Sequence, residues 1–234
     1  GEIIARMDGD DISMPRRLET LVHPIQQDPT AVLTGGNAEL IDDSGETIGY
    51  RIINCIDANK SITKQMVFQH GDILFRKSVY EKVGGYRKGF QYSQDYDLIL
   101  RMSDVGTLVK VPSTTYKLRI AVGTPSFAKR YQQSRLAQCA RDFYFERKKS
   151  GGDSYEVSLA RLQNIANDPR RDLDFGKYWI AMVKYRDFGK GKAVRDLIDI
   201  INNGVVIKWR IISFFALFSP ERLIRYLIKL REND

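Results

Sequence analysis

The five residues Met7-Asp8-Gly9-Asp10-Asp11 directly follow the apolar run Ile3-Ile4-Ala5. A buried strand delivers its last residues to a loop at the edge of a sheet, so we expect these acidic residues in such a loop. Carboxylates this close together repel one another, and a positive group is expected to hold them. Asp8 and Asp10 can both reach one hard cation from a turn, and Gly9 lets the backbone bend around a ligand. The pattern predicts a site for Mg²⁺ or Mn²⁺ that carries the phosphates of a nucleotide.

The same cluster has a simpler interpretation as an acidic turn before a helix. Asp11 or Ser13 would then be the N-cap residue, and Pro15 an early helical position. A calcium loop of the EF-hand type fits less well, because Ile12 stands where an oxygen ligand is needed and Ser13 where glycine is required.

A second acidic cluster, Gln94-Asp95-Tyr96-Asp97, opens a predicted helix. Asp95 and Asp97 cannot share one helical face, so we expect them to serve different purposes. A carboxylate at a helix N-terminus is stabilised by the helix dipole, which makes capping one possible role. A general base directed into the same cleft as the first cluster is the other, and the pattern alone leaves both open.

Hydrophobic periodicity indicates an α/β fold. Strands are predicted over 1–8, 31–41, 47–53, 73–75, 107–111 and 114–120, and helices over 15–27, 78–83 and 94–103. After Thr124-Pro125 helical periodicity alternates with short breaks. We therefore predict a mixed-sheet domain over 1–124, followed by an all-helical appendage over 125–234.

Charge is unevenly distributed along the 234 residues. Residues 1–124 contain 15 basic and 16 acidic residues, whereas residues 125–234 contain 22 basic and 13 acidic ones. The net charge of +8 therefore comes from the second half. Cys55 and Cys139 form no metal-binding pattern, and we expect buried free thiols. No signal peptide or membrane-spanning stretch is visible, which favours a cytoplasmic protein.

Three segments, in order, resemble glycosyltransferase family 2, whose members are inverting enzymes with the GT-A fold. Residues 7–19 look like the family's DxD segment and the P-x-R-L helix after it. Residues 70–86, from His70-Gly71-Asp72 to Gly84-Gly85-Tyr86, resemble the segment leading to the acceptor side. Residues 94–102 look like its E-D-Y-D-L helix. The resemblance implies a partial GT-A, Rossmann-like sheet.

The resemblance also implies roles for particular residues. Asp95 aligns with the general base that takes the proton of an acceptor hydroxyl. Asp8 and Asp10 would hold Mg²⁺ or Mn²⁺, and the implied donor-binding set is Asp8, Asp10, Asp11 and Arg119. His70, Gly71 and Gln94 would lie on the acceptor side. The expected donor is a nucleotide-sugar, a UDP-sugar by preference, and the expected acceptor is a glycan or lipid-linked sugar of bacterial-type surface glycan synthesis.

This sequence departs from the family pattern in three places. Gln94 replaces the usual Glu before the base, which removes one negative charge. Arg119 stands where many relatives carry a His, and it can pair with phosphate but cannot bind a metal. The family's N-terminal nucleotide-binding half-domain is absent before Gly1, so we expect a fragment of a longer protein. The alternative is a non-catalytic remnant or membrane-binding module that retains the scaffold.

The C-terminal segment 205–231 is basic and amphipathic, and it holds the apolar run Ile211 to Phe218, flanked by Lys208, Trp209 and Arg210. In its last predicted helix one face carries Arg222, Arg225 and Lys229, and the other carries Leu223, Ile224, Leu227 and Ile228. Such a helix suits an anionic membrane surface, which would place the protein peripherally on the inner face of the cell membrane. A helix docked on the catalytic domain is the alternative. Nucleic acid is not an expected partner, because no nucleic-acid-binding motif is present.

Overall fold

The computed structural model describes residues 1–121, 128–169, 173–204, 207–221 and 224, and within these ranges no side-chain description extends to 173–175 or 207. The described strands are β1 (Ile3–Ala5), β2 (Ile12–Ser13), β3 (Ala31–Ile41), β4 (Thr47–Arg51), β5 (Ile73–Arg76) and β6 (Thr107–Arg119). The described helices are α1 (Arg17–Gln27), α2 (Ala58–Ile62), α3 (Lys77–Lys82), α4 (Gln94–Met102), α5 (Arg130–Ser150), α6 (Leu159–Ala166), α7 (Leu173–Phe188), α8 (Lys190–Asn203) and α9 (Ile207–Phe218). The predicted α/β fold class, with a helical C-terminal region, is confirmed for this part of the chain.

The strands form one sheet in the order β1-β5-β3-β6-β2, with β4 paired to β3. Strand β5 runs antiparallel to both β1 and β3, and β2 runs antiparallel to β6. Because β5 lies beside β1, the segment before β5 is brought next to the acidic turn that follows β1. The sheet order therefore unites two segments that are far apart in sequence.

Two sequence expectations near the sheet need correction. Strand β6 is continuous, although a break was predicted at Pro112 and Ser113. The fixed φ of proline is compatible with an extended strand, and the carbonyl oxygen of Pro112 accepts a hydrogen bond from Asn37 Nδ2 at 2.8 Å. The interpretation of Asp11 or Ser13 as the N-cap of α1 is also wrong, because Arg16 is the N-cap residue. Ser13 is instead paired with Tyr116 in the sheet.

Contacts divide the chain into two compact units. The first contains residues Gly1–Ala38, Arg51–Leu118 and Tyr131–Arg170, and the second contains Glu39–Tyr50, Arg119–Arg130 and Arg171–Asp234. Neither unit is continuous in sequence. The division at residue 124 inferred from composition stays a prediction, and Thr124-Pro125 itself lies outside the described residues.

The first unit buries apolar side chains on both faces of strand β5. Leu74 packs with Leu21 and Ile25 of α1 in one cluster. Its neighbours Ile73 and Phe75 belong to a larger cluster with α4 and α5. Alternate residues of a strand point to opposite faces, so this short strand anchors both layers. Both cysteines are free, as predicted. Cys139 is buried within the larger cluster, whereas Cys55, also predicted to be buried, is only half-buried and packs against that cluster.

The second unit is centred on helices α7, α8 and α9. Its core includes the fully buried Tyr185 and Leu197, together with Trp209, whose ring stacks on Tyr178 at a centroid distance of 5.0 Å. Asp187 of α7 also accepts a hydrogen bond from the backbone N–H of Tyr50 at 2.8 Å, with its Oδ2 atom. Tyr185 and Trp209 therefore serve as helix-packing residues.

A buried ion pair joins α1 to the segment before β5. Arg17 is 3% exposed and Asp72 is 0% exposed, and Arg17 Nε lies 2.7 Å from Asp72 Oδ1. Arg17 Nη2 also donates to the carbonyl oxygens of Arg6 and Gly71, at 2.5 and 3.0 Å. The other carboxylate oxygen of Asp72 accepts from Gly36 N at 2.9 Å and Thr115 Oγ1 at 2.5 Å. Burial raises the pKa of Asp72, and these hydrogen bonds oppose the rise.

Replacing Arg17 with Met tests whether this ion pair supports the fold. Arg17→Met keeps most of the apolar stem but leaves the Asp72 carboxylate buried without its counter-charge, which should lower the free energy of unfolding by about 3–5 kcal/mol. Urea denaturation followed by circular dichroism measures the change. Arg16→Met is the matched control, since Arg16 is 81% exposed and its ion pair with Glu19 lies at the surface. Equal stability of the two variants would contradict this role for Arg17.

Candidate functional site

The acidic turn between β1 and β2 holds its carboxylates in three different environments. Asp8 is half-buried, Asp10 is exposed, and Asp11 is 8% exposed. A side-chain carbon added at Gly9 would meet nothing within 4 Å, so the turn is open on that side. The three carboxylates therefore differ in their access to solvent, and Asp10 is the most exposed.

Arg6 is the positive group that holds Asp8. Its Nη1 and Nη2 atoms donate to the two oxygens of Asp8, each at 2.6 Å. This paired hydrogen bonding lowers the pKa of Asp8, with burial opposing the shift. The positive group expected beside the acidic residues is therefore Arg6, which directly follows β1. Asp8 therefore stays ionised and has a fixed orientation.

Tyr116 of β6 anchors the other side of the turn. Its buried hydroxyl accepts a hydrogen bond from Asp8 N at 3.1 Å and is hydrogen-bonded to the carboxylate of Asp11. Burial raises the pKa of Tyr116 strongly, and the charge of Asp11 raises it further. The phenol therefore stays protonated and acts as a donor to Asp11. Asp11 lies in the wall of the site, and its donor-binding role stays a prediction.

His70 and Gly71 begin the 3-10 helix His70–Asp72, which packs against this turn. A side-chain carbon on Gly71 would come within 2.2 Å of the Tyr116 hydroxyl and 2.9 Å of Asp8 Oδ2, so only glycine fits there. His70 Nε2 lies 2.8 Å from the Tyr86 hydroxyl, with the two rings edge to face. The predicted acceptor-side segment and the acidic turn are thus in direct contact.

Asp95 belongs to the same region. Burial lowers the pKa of His70, while the charges of Asp95 and Asp8 raise it and that of Arg6 lowers it. The negative charge of Asp95 also acts on Tyr86 and Arg51. The charges of Asp8 and Asp95, which are far apart in sequence, are therefore both felt by one imidazole.

Helix α4 fixes the position of Asp95. The helix begins at Gln94, and Ser93 before it has a positive φ of 58°. The Ser93 hydroxyl donates to the Gln133 carbonyl oxygen at 2.9 Å, which holds this unusual conformation. Asp95 Oδ1 accepts from the backbone N–H of Tyr96 at 2.9 Å, and Gln94 and Asp95 remain half-buried. The helix dipole places positive partial charge at this end of α4.

Asp97 has a different environment from Asp95, as the helical spacing predicts. It is 1% exposed, and its Oδ2 accepts from Arg101 Nη2 at 2.6 Å and from Arg101 Nε at 3.0 Å. Arg87 Nη1 lies 3.4 Å from its Oδ1. Arg87 in turn pairs with Asp153 at 2.9 Å. Asp97 is a scaffold carboxylate that fastens α4 to its surroundings.

Arg119, at the end of β6, belongs to the second compact unit. Its Nη1 atom donates to the carbonyl oxygen of Asp42 at 2.5 Å. The proposed phosphate contact of Arg119 stays a prediction.

Sequence reasoning missed Arg6, Tyr86 and Tyr116 as site residues. Arg6 could have been found, because residues two apart on an extended segment point to the same side and Arg6 precedes Asp8 by two. The two tyrosines carry no local signal. They reach the site through the pairing of β2 with β6 and through the packing of the segment that follows α3.

The donor set suits a divalent cation that arrives with a phosphate ligand. Among the described residues no group of three or more His, Cys, Asp or Glu side chains could hold a metal by itself. A Mg²⁺ ion bound with a nucleotide takes most of its ligands from phosphate and water, and one or two carboxylates complete the shell. The exposed carboxylate of Asp10 and the oriented one of Asp8 meet that requirement.

No protein-family model matches the chain. Over 102 residues, 43% of this chain, it is 42% identical to the O-antigen biosynthesis glycosyltransferase WbnJ of Escherichia coli, of which the match covers 39%. It is 35% identical over 108 residues to the putative glycosyltransferase EpsE of Bacillus subtilis, covering 45% of this chain and 38% of EpsE. The amylovoran biosynthesis glycosyltransferase AmsE of Erwinia amylovora is 29% identical over 119 residues, covering 50% and 44%.

These matches show that the chain is related to bacterial glycosyltransferases, and it spans about two-fifths of the length of the curated relatives it matches. Among solved structures, the mannosyltransferase PcManGT from Pyrobaculum calidifontis, in complex with GDP-Man and Mn²⁺, aligns with a TM-score of 0.41 and 14% identity over 97% of this chain and 59% of that one. In the described part of the chain, no helix is long and apolar enough to cross a membrane.

The two carboxylates of α4 should respond differently to the same substitution. Asp97→Asn leaves buried arginine charges without a counter-charge and should lower the free energy of unfolding by about 3 kcal/mol or more. Asp95→Asn, the matched control, removes only a half-buried carboxylate at the helix start and should cost about 1 kcal/mol or less. Chemical denaturation of both variants measures the difference, and the reverse order would refute the assignment of Asp97 as the scaffold residue.

Proposed function

We propose that this chain is part of an inverting, metal-assisted glycosyltransferase of family 2 with a GT-A fold. It would transfer a sugar from a nucleotide-sugar, a UDP-sugar by preference, to a hydroxyl of a glycan or lipid-linked acceptor. Its place would be in the synthesis of a bacterial surface glycan, in the cytoplasm or on the inner face of the membrane. The sequence similarity to glycosyltransferases supports sugar transfer as the reaction class. The family, the inversion, the metal, the donor and the acceptor are the proposal.

The observation that carries the proposal is the packing of the His70–Asp72 segment against Asp8, at Gly71, together with the charges of Asp8 and Asp95 that both act on His70. Transfer with inversion needs a group that offsets the negative charge of the leaving diphosphate. It also needs, on the opposite side of the sugar, a base that takes the proton of the acceptor hydroxyl. Asp8 lies in an exposed turn and Asp95 at a helix N-terminus, and the charges of both act on one imidazole. Together they would meet both needs.

Asp10 and Asp8 are the residues proposed to hold Mg²⁺ or Mn²⁺. When bound, the cation would offset the negative charge that develops on the departing diphosphate. Arg6 fixes the orientation of Asp8, so this carboxylate is preorganised and its two oxygens cannot rotate away from the turn. Asp11 acts from the wall of the site through Tyr116.

Asp95 is the proposed general base. Its carboxylate takes the proton of the acceptor hydroxyl as that oxygen attacks the anomeric carbon. The new carbon–oxygen bond forms while the bond to the diphosphate oxygen breaks, and the diphosphate leaves with the electron pair. Configuration inverts in this single displacement. Gln94 adds no charge beside the base, and His70 with Tyr86 forms a polar wall for the acceptor.

Substitution of Asp10 tests the metal and donor site. In protein expressed from the full reading frame, Asp10→Asn should reduce sugar transfer at least 100-fold, because an amide oxygen is a weaker ligand than a carboxylate and leaves the diphosphate charge uncompensated. The assay measures release of nucleoside diphosphate from UDP-, GDP- and dTDP-sugars with Mg²⁺, Mn²⁺ or a chelator, using bacterial membrane extract as the acceptor source. Asp43→Asn, at another exposed turn, is the control. Near-normal Mn²⁺-dependent turnover of Asp10→Asn would rule out this ligand.

Substitution of Asp95 tests the base separately. Asp95→Asn should lower turnover by two or more orders of magnitude with donor affinity nearly unchanged, since the base acts on the acceptor proton in the transition state. Donor affinity is measured by calorimetry in the same preparation. A variant that loses donor binding instead of turnover would move Asp95 from the acceptor side to the donor side.

A further inference from the structure

Helix α9, with the sequence Ile-Lys-Trp-Arg-Ile-Ile-Ser-Phe-Phe-Ala-Leu-Phe, is apolar on two sides. One side is buried in the core of the second unit, where Trp209, Ser213 and Ala216 recur at helical spacing. This side alone is enough to hold the helix on α7 and α8. A helix that is hydrophobic all round is normally buried on all sides, either in a large core or in lipid.

The other side of α9 is exposed. Ile211, Phe214, Phe215 and Phe218 are 51%, 49%, 62% and 68% exposed, and they follow one another at the i, i+3, i+4, i+7 spacing of a single helix face. The ring of Phe214 lies 4.7 Å from that of Phe218 and 6.1 Å from that of Phe215. These side chains therefore form one continuous aromatic surface, here called the α9 aromatic face.

Positive charge borders the α9 aromatic face at its beginning. Lys208 and Arg210 are exposed, and no acidic residue occurs between Ile207 and Phe218. Arg210 also lines an open groove with Ile201, Ile211, Phe214 and Phe215. On the neighbouring helix α8 the acidic residues Asp196 and Asp199 are paired with Lys184 and Lys177 at 2.8 and 3.0 Å. The charge at the beginning of the aromatic face is therefore positive, whereas the exposed Glu221 follows its end.

We propose that the α9 aromatic face docks on an anionic lipid surface. Phenylalanine side chains bordered by Lys and Arg match an interface whose interior is apolar and whose head groups are negative. With twelve residues, α9 is too short to cross a bilayer and would lie along the surface. A second copy of the chain is a poorer occupant, because pairing this face with itself would bring like charges together.

The membrane contact predicted from sequence covered the segment 205–231, which includes the run Ile211 to Phe218 with Lys208 and Arg210 as well as the last predicted helix. In that last helix Arg222, Leu223, Arg225, Leu227, Ile228 and Lys229 lie outside the described part of the chain, and Ile224 is buried in the core of the second unit. We therefore place the contact on the α9 aromatic face, and its docking does not depend on the proposed transfer reaction.

Vesicle co-sedimentation of the whole chain tests the proposal. We expect binding to vesicles that contain phosphatidylglycerol, weaker binding to neutral phosphatidylcholine vesicles, and release as salt is raised. Phe215→Ser should weaken binding to the anionic vesicles about tenfold, because one aromatic side chain no longer leaves water. Phe145→Ser is the matched control, since Phe145 is 55% exposed on α5, and it should bind like the unchanged protein.

A charge variant keeps the test independent of the aromatic substitution. Lys208→Glu should weaken anionic binding at least about fivefold, whereas Lys88→Glu, at an exposed position of the first unit, should not. Circular dichroism confirms that each variant is folded. Equal binding to neutral and anionic vesicles, or equal losses in the Phe145 and Phe215 variants, overturns the proposal. A dimer that Phe215→Ser dissociates without any change in vesicle binding also overturns it and assigns the face to a second copy.

Discussion

The buried ion pair between Arg17 and Asp72 is the constraint on which the candidate site depends. Arg17 donates to carbonyl oxygens on both sides of the site, at Arg6 and Gly71, and Asp72 accepts from Gly36 and Thr115. Two charges in a dry interior are tolerable only when their polar atoms have partners, as Arg17 Nε, Arg17 Nη2 and both oxygens of Asp72 do. Because these partners lie after β1, in the segment before β5, and on β3 and β6, one pair sets the distance between the acidic turn and the segment that carries His70.

In each acidic cluster, one carboxylate is buried against its partners and another is more accessible to solvent. Asp97 is enclosed by arginines while Asp95, two residues earlier, stays half-buried and faces the site. In the turn, Asp11 is buried against Tyr116 and Asp10 is exposed. A carboxylate that is buried and enclosed by its partners, as Asp97 is, cannot reach a cation or a substrate without leaving them, whereas Asp8 stays 37% exposed beside its partner Arg6. The local environment therefore separates the structural carboxylates from those available for chemistry.

Local patterns predicted most elements of the sheet domain but missed β2 and α2, and the strand predicted over 1–8 is limited to Ile3–Ala5. Long-range contacts lay beyond such patterns. Strand β3 has the predicted bounds, and α4 differs from its prediction by one residue, because alternation and helical spacing are local properties. The different environments of Asp95 and Asp97 followed from the same spacing. The partnership of Asp8 with Arg6 has a local signal, but those of Tyr116 with Asp8 and of His70 with Tyr86 depend on strand order and loop packing. The continuous strand through Pro112 was missed because proline was interpreted by its usual preference, without its partner Asn37.

The interleaved composition of the two units has a consequence for biosynthesis. Residues 39–50 emerge from the ribosome early, yet Tyr50 finds its partner Asp187 only 137 residues later. At a translation rate of about 5–20 residues per second, that interval lasts roughly 7–27 s. During this time the end of β3 and strand β4 have been synthesised, but the helices α7, α8 and α9 of the same unit have not. The nascent chain therefore exposes an unfinished hairpin for many seconds, which is the period when a ribosome-associated chaperone would have most to protect.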